Sequence, residues 1–115
     1  MERRLRLRAS QDFDHLKRAG LSVKHRLMIL SFAQNELSHN RYGFIVSKHL
    51  GKATVRNRIR RLLREAVRQA HPRLKPGMDV VIIARQPLVA QPFSVVQRTV
   101  SEVMNQAGLV EGDPP

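Results

Sequence analysis

Residues 54–70 run Thr54-Val55-Arg56-Asn57-Arg58-Ile59-Arg60-Arg61-Leu62-Leu63-Arg64-Glu65-Ala66-Val67-Arg68-Gln69-Ala70. At about 100° per residue, Val55, Ile59, Leu62, Leu63 and Ala66 gather on one side, as a helix packed on a sheet requires. Arg56, Arg60, Arg64 and Arg68 are expected down the opposite side at spacings of four. Asn57 and Arg61 fall between these rows, and Arg58 lies at the edge of the face. Gly51 breaks the chain before the helix. His71-Pro72 ends it, because a residue before proline is driven out of the helical region.

Strands flank this helix. On the N-terminal side, residues 26–33 carry Leu27, Met28, Ile29, Leu30 and Phe32 with no helical spacing, and residues 41–47 alternate through Tyr42, Phe44 and Val46. With polar residues 35–40 between them, the two runs predict an antiparallel hairpin. Past the helix, Pro76-Gly77 marks a turn, and Val80-Val81-Ile82-Ile83 within residues 79–84 is the continuous apolar run of a central strand. Pro87 and Pro92 bracket a loop. A last amphipathic helix spans residues 93–107, with Val96, Val100, Val103, Met104 and Ala107 inward, and Gly108 stops it.

At the N-terminal end, Ser10 caps a short helix to Ala19, Phe13 and Leu16 share one of its faces, and Gly20 is expected to supply a left-handed stop. Residues 1–9, with Arg3, Arg4, Arg6 and Arg8, read either as a basic arm or as a solvated tail; residues 108–115 read as a loose tail. The order is helix, strand, strand, helix, strand, helix. That predicts one α+β domain over residues 1–115, an α-β-β-α-β-α sandwich with a small mixed sheet.

The charge narrows the function. Twenty-one Lys+Arg against nine Asp+Glu leave a net +12 in 115 residues, an excess that points to a polyanionic partner. No apolar run approaches the roughly 20 residues that cross a bilayer, and the arginines of residues 1–8 precede no apolar signal core. Nucleic acid is therefore preferred over membrane, and a cytoplasmic setting is expected. There is no cysteine, so disulfides and thiolate metal sites are excluded.

Between Lys52 and Arg64 stand six basic residues and no acid. Like charges three or four apart destabilise a helix by a few tenths of a kcal/mol per pair, so a solvated face mixes signs. Phosphates compensate such a face well, since the guanidinium fork matches their oxygens and stacks on bases. Lys52, Arg56, Asn57, Arg58, Arg60, Arg61, Arg64 and Arg68 are the candidate RNA contacts.

Self-contained catalysis is not expected. The nine acids are scattered, and the only close pair, Asp12 and Asp14, points apart on a helix. The five histidines have no metal-ligand spacing, so no protein metal site is predicted. A DNA-reading helix-turn-helix fits poorly, because the basic helix lies between strands.

Arg56-Asn57-Arg58-Ile59-Arg60-Arg61-Leu62-Leu63-Arg64-Glu65 resembles the signature of the protein subunit of bacterial ribonuclease P, in which an Arg-Asn-Arg core precedes a basic pair and a further Arg. Gly43-Phe44-Ile45-Val46-Ser47-Lys48 with Gly51, and residues 79–84 followed by Arg85 and Pro87, resemble the strands on either side in that family. Arg6-Leu7, Asp12-Phe13 and Gly20 also fall at family spacings, so the likeness covers residues 3–107. It implies a left-handed βαβ crossover around the basic helix. It also implies a catalytic RNA subunit and precursor tRNA as partners, with no protein partner required. Its further implication is Mg²⁺, held mainly by the RNA, as the metal of an endonucleolytic removal of the 5′ leader. Arg56, Asn57, Arg58, Arg60, Arg61 and Arg64 would face the catalytic RNA, and Phe13, Lys17, Lys48 and Arg85 the leader. Phe13 reads equally as core. Lys17 and Ser31 stand where many members have aromatics, although Phe32 is adjacent. A ribosomal-type RNA-binding protein without a processing role is the alternative reading.

Overall fold

The computed structural model describes residues 3–7, 16 and 20–111. Four strands build one sheet: β1 (Leu21–Lys24), β2 (Met28–Gln34), β3 (Arg41–Ile45) and β4 (Met78–Ala84). Their order is β1-β2-β4-β3; β1 and β4 each run antiparallel to β2, and β3 runs parallel to β4. The sheet is thus mixed, and the apolar run of β4 occupies an interior position, as its side chains require.

Alternation along the strands makes two layers. Met28, Leu30, Tyr42, Val80, Ile82 and Ala84 face the main core with α1 (Ala53–Ala70) and α2 (Phe93–Gln106). From α1 come Ile59, Leu63, Ala66, Val67 and Ala70; from α2 come Val96, Val100, Val103 and Met104, all buried. Each buried Val, Leu, Ile or Met among them contributes about 1.5–3 kcal/mol. On the other face Leu7, Leu16, Ala33 and Val81 form a smaller cluster, with Ile83 against it.

The expected hairpin between β2 and β3 does not form, because β4 is inserted between them. The polar segment after β2 explains how. Asn35 N–H donates to Gly77 O at 3.0 Å and Asn35 Nδ2 to Asp79 Oδ1 at 2.9 Å, while Asn40 Oδ1 accepts from Met78 N at 2.8 Å. These residues dock on the start of β4 and do not close a turn. β2 instead pairs with β1, a strand too short and polar to register in the pattern. That turn is tied by His25 N–H to Met28 O at 2.9 Å and by Leu27 N–H to His25 Nδ1 at 3.0 Å.

Residues 3–7 and 109–110 are more tightly held than expected. Arg3–Leu5 is a 3-10 turn, Leu5 and Leu7 are buried, and Leu7 N–H bonds Tyr42 O at 2.8 Å along the free side of β3. Over residues 3–7 the basic arm is therefore anchored to the sheet. Towards the other end Leu109 is buried, Val110 bridges Leu74 and Glu111 N–H bonds Arg73 O at 2.7 Å, which ties down the main chain of residues 109–111; residues 112–115 lie outside the described residues. Leu16 is helical and buried; the rest of the helix expected over residues 10–19, including Phe13 and Lys17, lies outside the described residues. Gly20 is not in the left-handed region. A Cβ there would lie 2.3 Å from Leu16 O, so close approach, not handedness, demands glycine. Gly77, by contrast, has φ +85° and makes the predicted turn into β4.

Candidate nucleic-acid interface

The buried stripe of α1 sits closer to the arginine row than the wheel predicts. Val67 is fully buried, whereas Val55 and Leu62 are only half-buried. Residues four apart advance by about 40°, so the row that starts beside Val67 at Arg56 rotates outward along the helix. Arg56, Arg60 and Arg64 are accordingly half-buried on one flank of the stripe, not opposite it; Lys52, Asn57, Arg58, Arg61 and Arg68 are exposed.

Six arginines and Glu65 give α1 a charge of +5. Arg68 Nε and Nη2 clasp the Glu65 carboxylate, to which Gln69 also donates. The Arg68 bonds, then that of Gln69, hold the Glu65 carboxyl down at about 2. This pair satisfies itself, and the helix's only acid is spent on Arg68. The remaining five arginines have no carboxylate among the described residues. Arg56 Nε donates to Gly51 O at 3.2 Å, and Arg60 Nη1 to Asn57 Oδ1 at 3.2 Å. Arg58 reaches Val89 O and Gln91 O, each at 3.4 Å. Arg61 and Arg64 have no hydrogen-bond partner among the described residues. Most guanidinium donors on this helix are left to an external acceptor.

The sheet places further cations beside it. The parallel register pairs Ile45 with Ile83, so β3 and β4 end together. Lys48, in the 3-10 turn Lys48–Leu50, and Arg85 therefore emerge at the same end of the sheet, where Lys52 begins α1. All three are exposed, and Arg85 Nη1 donates to His25 O at 3.0 Å. On the sheet face away from α1 and α2 a groove of about 250 Å³ is lined by Leu16, Gly20, Ser22, Ser31, Ile45, Val81 and Ile83. Ser31 looks into this groove, where its hydroxyl meets that of Ser22 at 3.1 Å. Phe32 faces the main core, so the adjacent aromatic does not stand in for one at residue 31. Ser22 and Ile45 are lining residues that the sequence does not reveal, since β1 carries no periodic signal and a strand's neighbours are not written in its own residues.

Buried polar groups brace this frame. Asp79 is 1% exposed, takes both Arg41 Nε (2.9 Å) and Nη2 (2.8 Å), and so ties β3 to β4. Tyr42 Oη sits 2.7 Å from His71 Nδ1 and accepts from Asn40 Nδ2 at 3.1 Å; burial pushes its hydroxyl up to about 12. Among the described residues no three His, Asp or Glu side chains converge on a metal position, and no helix is long and apolar enough to cross a membrane.

Comparison with known proteins gives one answer. The family model for ribonuclease P matches residues 1–108. The ribonuclease P protein component of Roseiflexus castenholzii is 42% identical over 113 residues, covering 97% of this chain and 93% of the relative. That of Herpetosiphon aurantiacus is 37% identical over 109 residues, covering 95% and 89%. The solved RNase P protein of Staphylococcus aureus superposes with a TM-score of 0.87 at 30% identity, covering 93% of this chain and 98% of its own. The Thermotoga maritima protein gives 0.82 at 29% identity, with the same coverage. A basic helix carried between parallel strands, in a chain matched almost end to end, places this protein in the ribonuclease P protein family.

Proposed function

We propose that this chain binds the catalytic RNA of ribonuclease P through α1 and guides the 5′ leader of precursor tRNA, so assisting endonucleolytic removal of that leader. The observation that carries the reading is the set of five arginines, Arg56, Arg58, Arg60, Arg61 and Arg64, with no carboxylate of their own among the described residues. Asn57, beside them, is exposed and suited to hydrogen-bond sugar or base edges. Lys52 continues the basic surface. Arg68 contributes less, being engaged by Glu65.

Lys48 and Arg85 stand at the strand ends that border the open sheet face, and Phe13 and Lys17 are proposed to complete the leader path. The groove floor holds serine, glycine and aliphatic side chains but no described aromatic, so leader binding here leans on charge. Fixed guanidinium charges on crowded phosphates release condensed counterions and lower the need for diffuse cations. Mg²⁺ held by the RNA and its substrate supplies the activated water and the charge neutralisation at phosphorus. The described residues of this chain offer no converging oxygen donors for that ion: Asp79 is taken up by Arg41 and Asn35.

Reconstitution with a bacterial ribonuclease P RNA and precursor tRNA tests the proposal. Rescue of leader cleavage at low Mg²⁺ supports it. Tight RNA binding with no rescue would instead indicate a structural RNA-binding role.

A further inference from the structure

A second hollow, of about 300 Å³, opens beside α1 and is lined by Arg58, Arg61, Leu62, Glu65 and Phe93. By helical phase it lies on the flank away from Arg56, Arg60 and Arg64. Leu62 and Phe93 are half-buried, packed inward against the core while lining this hollow with carbon. Exposed apolar surface of this kind gains by being covered. What covers it must also suit its rim. Arg58 is held there by its bonds to Val89 O and Gln91 O, and Arg61 has no partner among the described residues. Glu65 contributes little repulsion, because Arg68 and Gln69 engage its carboxylate.

An occupant that is apolar at its centre and anionic at its edges fits both features. A nucleotide is built that way: a flat ring stacks on an aromatic side chain, and the flanking phosphates meet guanidiniums. We propose that this hollow receives one unstacked base of the RNA partner, with Phe93 and Leu62 as its platform and Arg58 and Arg61 on the adjoining phosphates. Phe93 thereby joins the RNA interface from α2, an element the basic motif does not include. The inference rests on the RNA-binding reading of α1 and extends it from charge to base stacking.

The chain has no tryptophan, so Phe93→Trp puts a single fluorophore in the hollow. Its emission should be quenched by a twelve-nucleotide oligoadenylate and by a bacterial ribonuclease P RNA, but not by a blunt twelve-base-pair RNA duplex. Adding Arg58→Gln and Arg61→Gln should abolish the oligoadenylate quench. Phe93→Leu should weaken binding of the ribonuclease P RNA about five- to about 160-fold, the span expected for one stacked base. Should Phe93→Leu lower the melting temperature, the fluorescence of the stable Phe93→Trp protein decides. The inference fails if that fluorescence is unchanged when filter binding shows saturation with the ribonuclease P RNA, or if duplex quenches equally. It also fails if polyglutamate quenches as strongly, which would assign the hollow to an acidic protein segment. Failure of the wider reading is separate: there the unaltered protein neither binds the ribonuclease P RNA nor rescues cleavage.

Discussion

Replacing Arg60 and Arg64 together by glutamine tests whether the arginine flank of α1 faces phosphate. Five arginines of the helix lack an acid among the described residues. If each neutralises one phosphate at about 0.9 per contact, they contribute about −4.5 to the slope of log affinity against log salt. Raising salt from about 50 to about 200 mM then costs about 500-fold in affinity from this helix. Without two of the five the slope contribution falls to about −2.7, and the same change in salt costs about 40-fold. Glu65→Gln together with Arg68→Gln is the internal control: it removes a cation and the carboxylate that already balances it, so it should move the slope far less than the Arg60 and Arg64 variant. Arg60 bonds only Asn57 and Arg64 has no partner among the described residues, so urea unfolding of the double variant should shift by less than about 0.5 kcal/mol. Filter binding to a ribonuclease P RNA across a salt series reads the slope directly. An unchanged slope in the Arg60 and Arg64 variant would falsify the assignment, as would an equal change from the Glu65 and Arg68 control.

Four other outcomes are expected. Asp79→Asn removes the buried charge that Arg41 Nε and Nη2 both hold, and the start of β4 loosens; chemical denaturation should show a loss of about 3 kcal/mol, and a loss near zero would mean the pair is dispensable. Ser31→Phe places an aromatic ring in the sheet-face groove and should raise preference for leader-bearing over mature tRNA by about tenfold, measured by competition. Phe32→Ala should leave that preference alone but cost about 2 kcal/mol of stability, because Phe32 packs in the core. Tyr42 titrates near 12 in the fold against 10.0 unperturbed, so the neutral hydroxyl favours the folded state. Its contribution is complete below pH 10 and lost as pH rises toward 12. Melting temperature should therefore fall over that window, less steeply in Tyr42→Phe; parallel curves would refute the cause.

Periodicity exposed the elements but not their neighbours. The helices at 53–70 and 93–106 were legible because each repeats its apolar spacing, and the strand at 78–84 because its apolar run is continuous. Run length at 26–33 and alternation at 41–47 marked two strands, but a strand's partners depend on long-range docking. Here that docking is done by Asn35 and Asn40, whose side chains bond the first residues of β4 and look from sequence like ordinary turn formers. Strand β1 has only Leu21 and Val23 as apolar residues, too few for a period, and Leu21 stays 68% exposed. The arginine helix was legible as a charged face; its orientation was not. Burial of Val67 turns the Arg56, Arg60 and Arg64 row toward the body of the protein and leaves Arg58 and Arg61 to the other flank.

That rotation has a functional consequence. A row of arginines facing straight out could be mobile and bind any polyanion loosely. Half-burying the stems of Arg56, Arg60 and Arg64 restricts their rotamers, so less side-chain entropy is lost when phosphate arrives. The β3–α1–β4 crossover also ties the two candidate surfaces together. Its strands form part of the groove on one face of the sheet, its helix carries the arginines on the other, and Lys48, Lys52 and Arg85 cluster at the end where both meet. On the proposed function, a single rigid unit would hold two RNA segments in fixed relation, with cations at the junction where their phosphates would otherwise repel. A basic helix on a flexible tether would supply the same affinity, but it could not set the distance between the strands it binds.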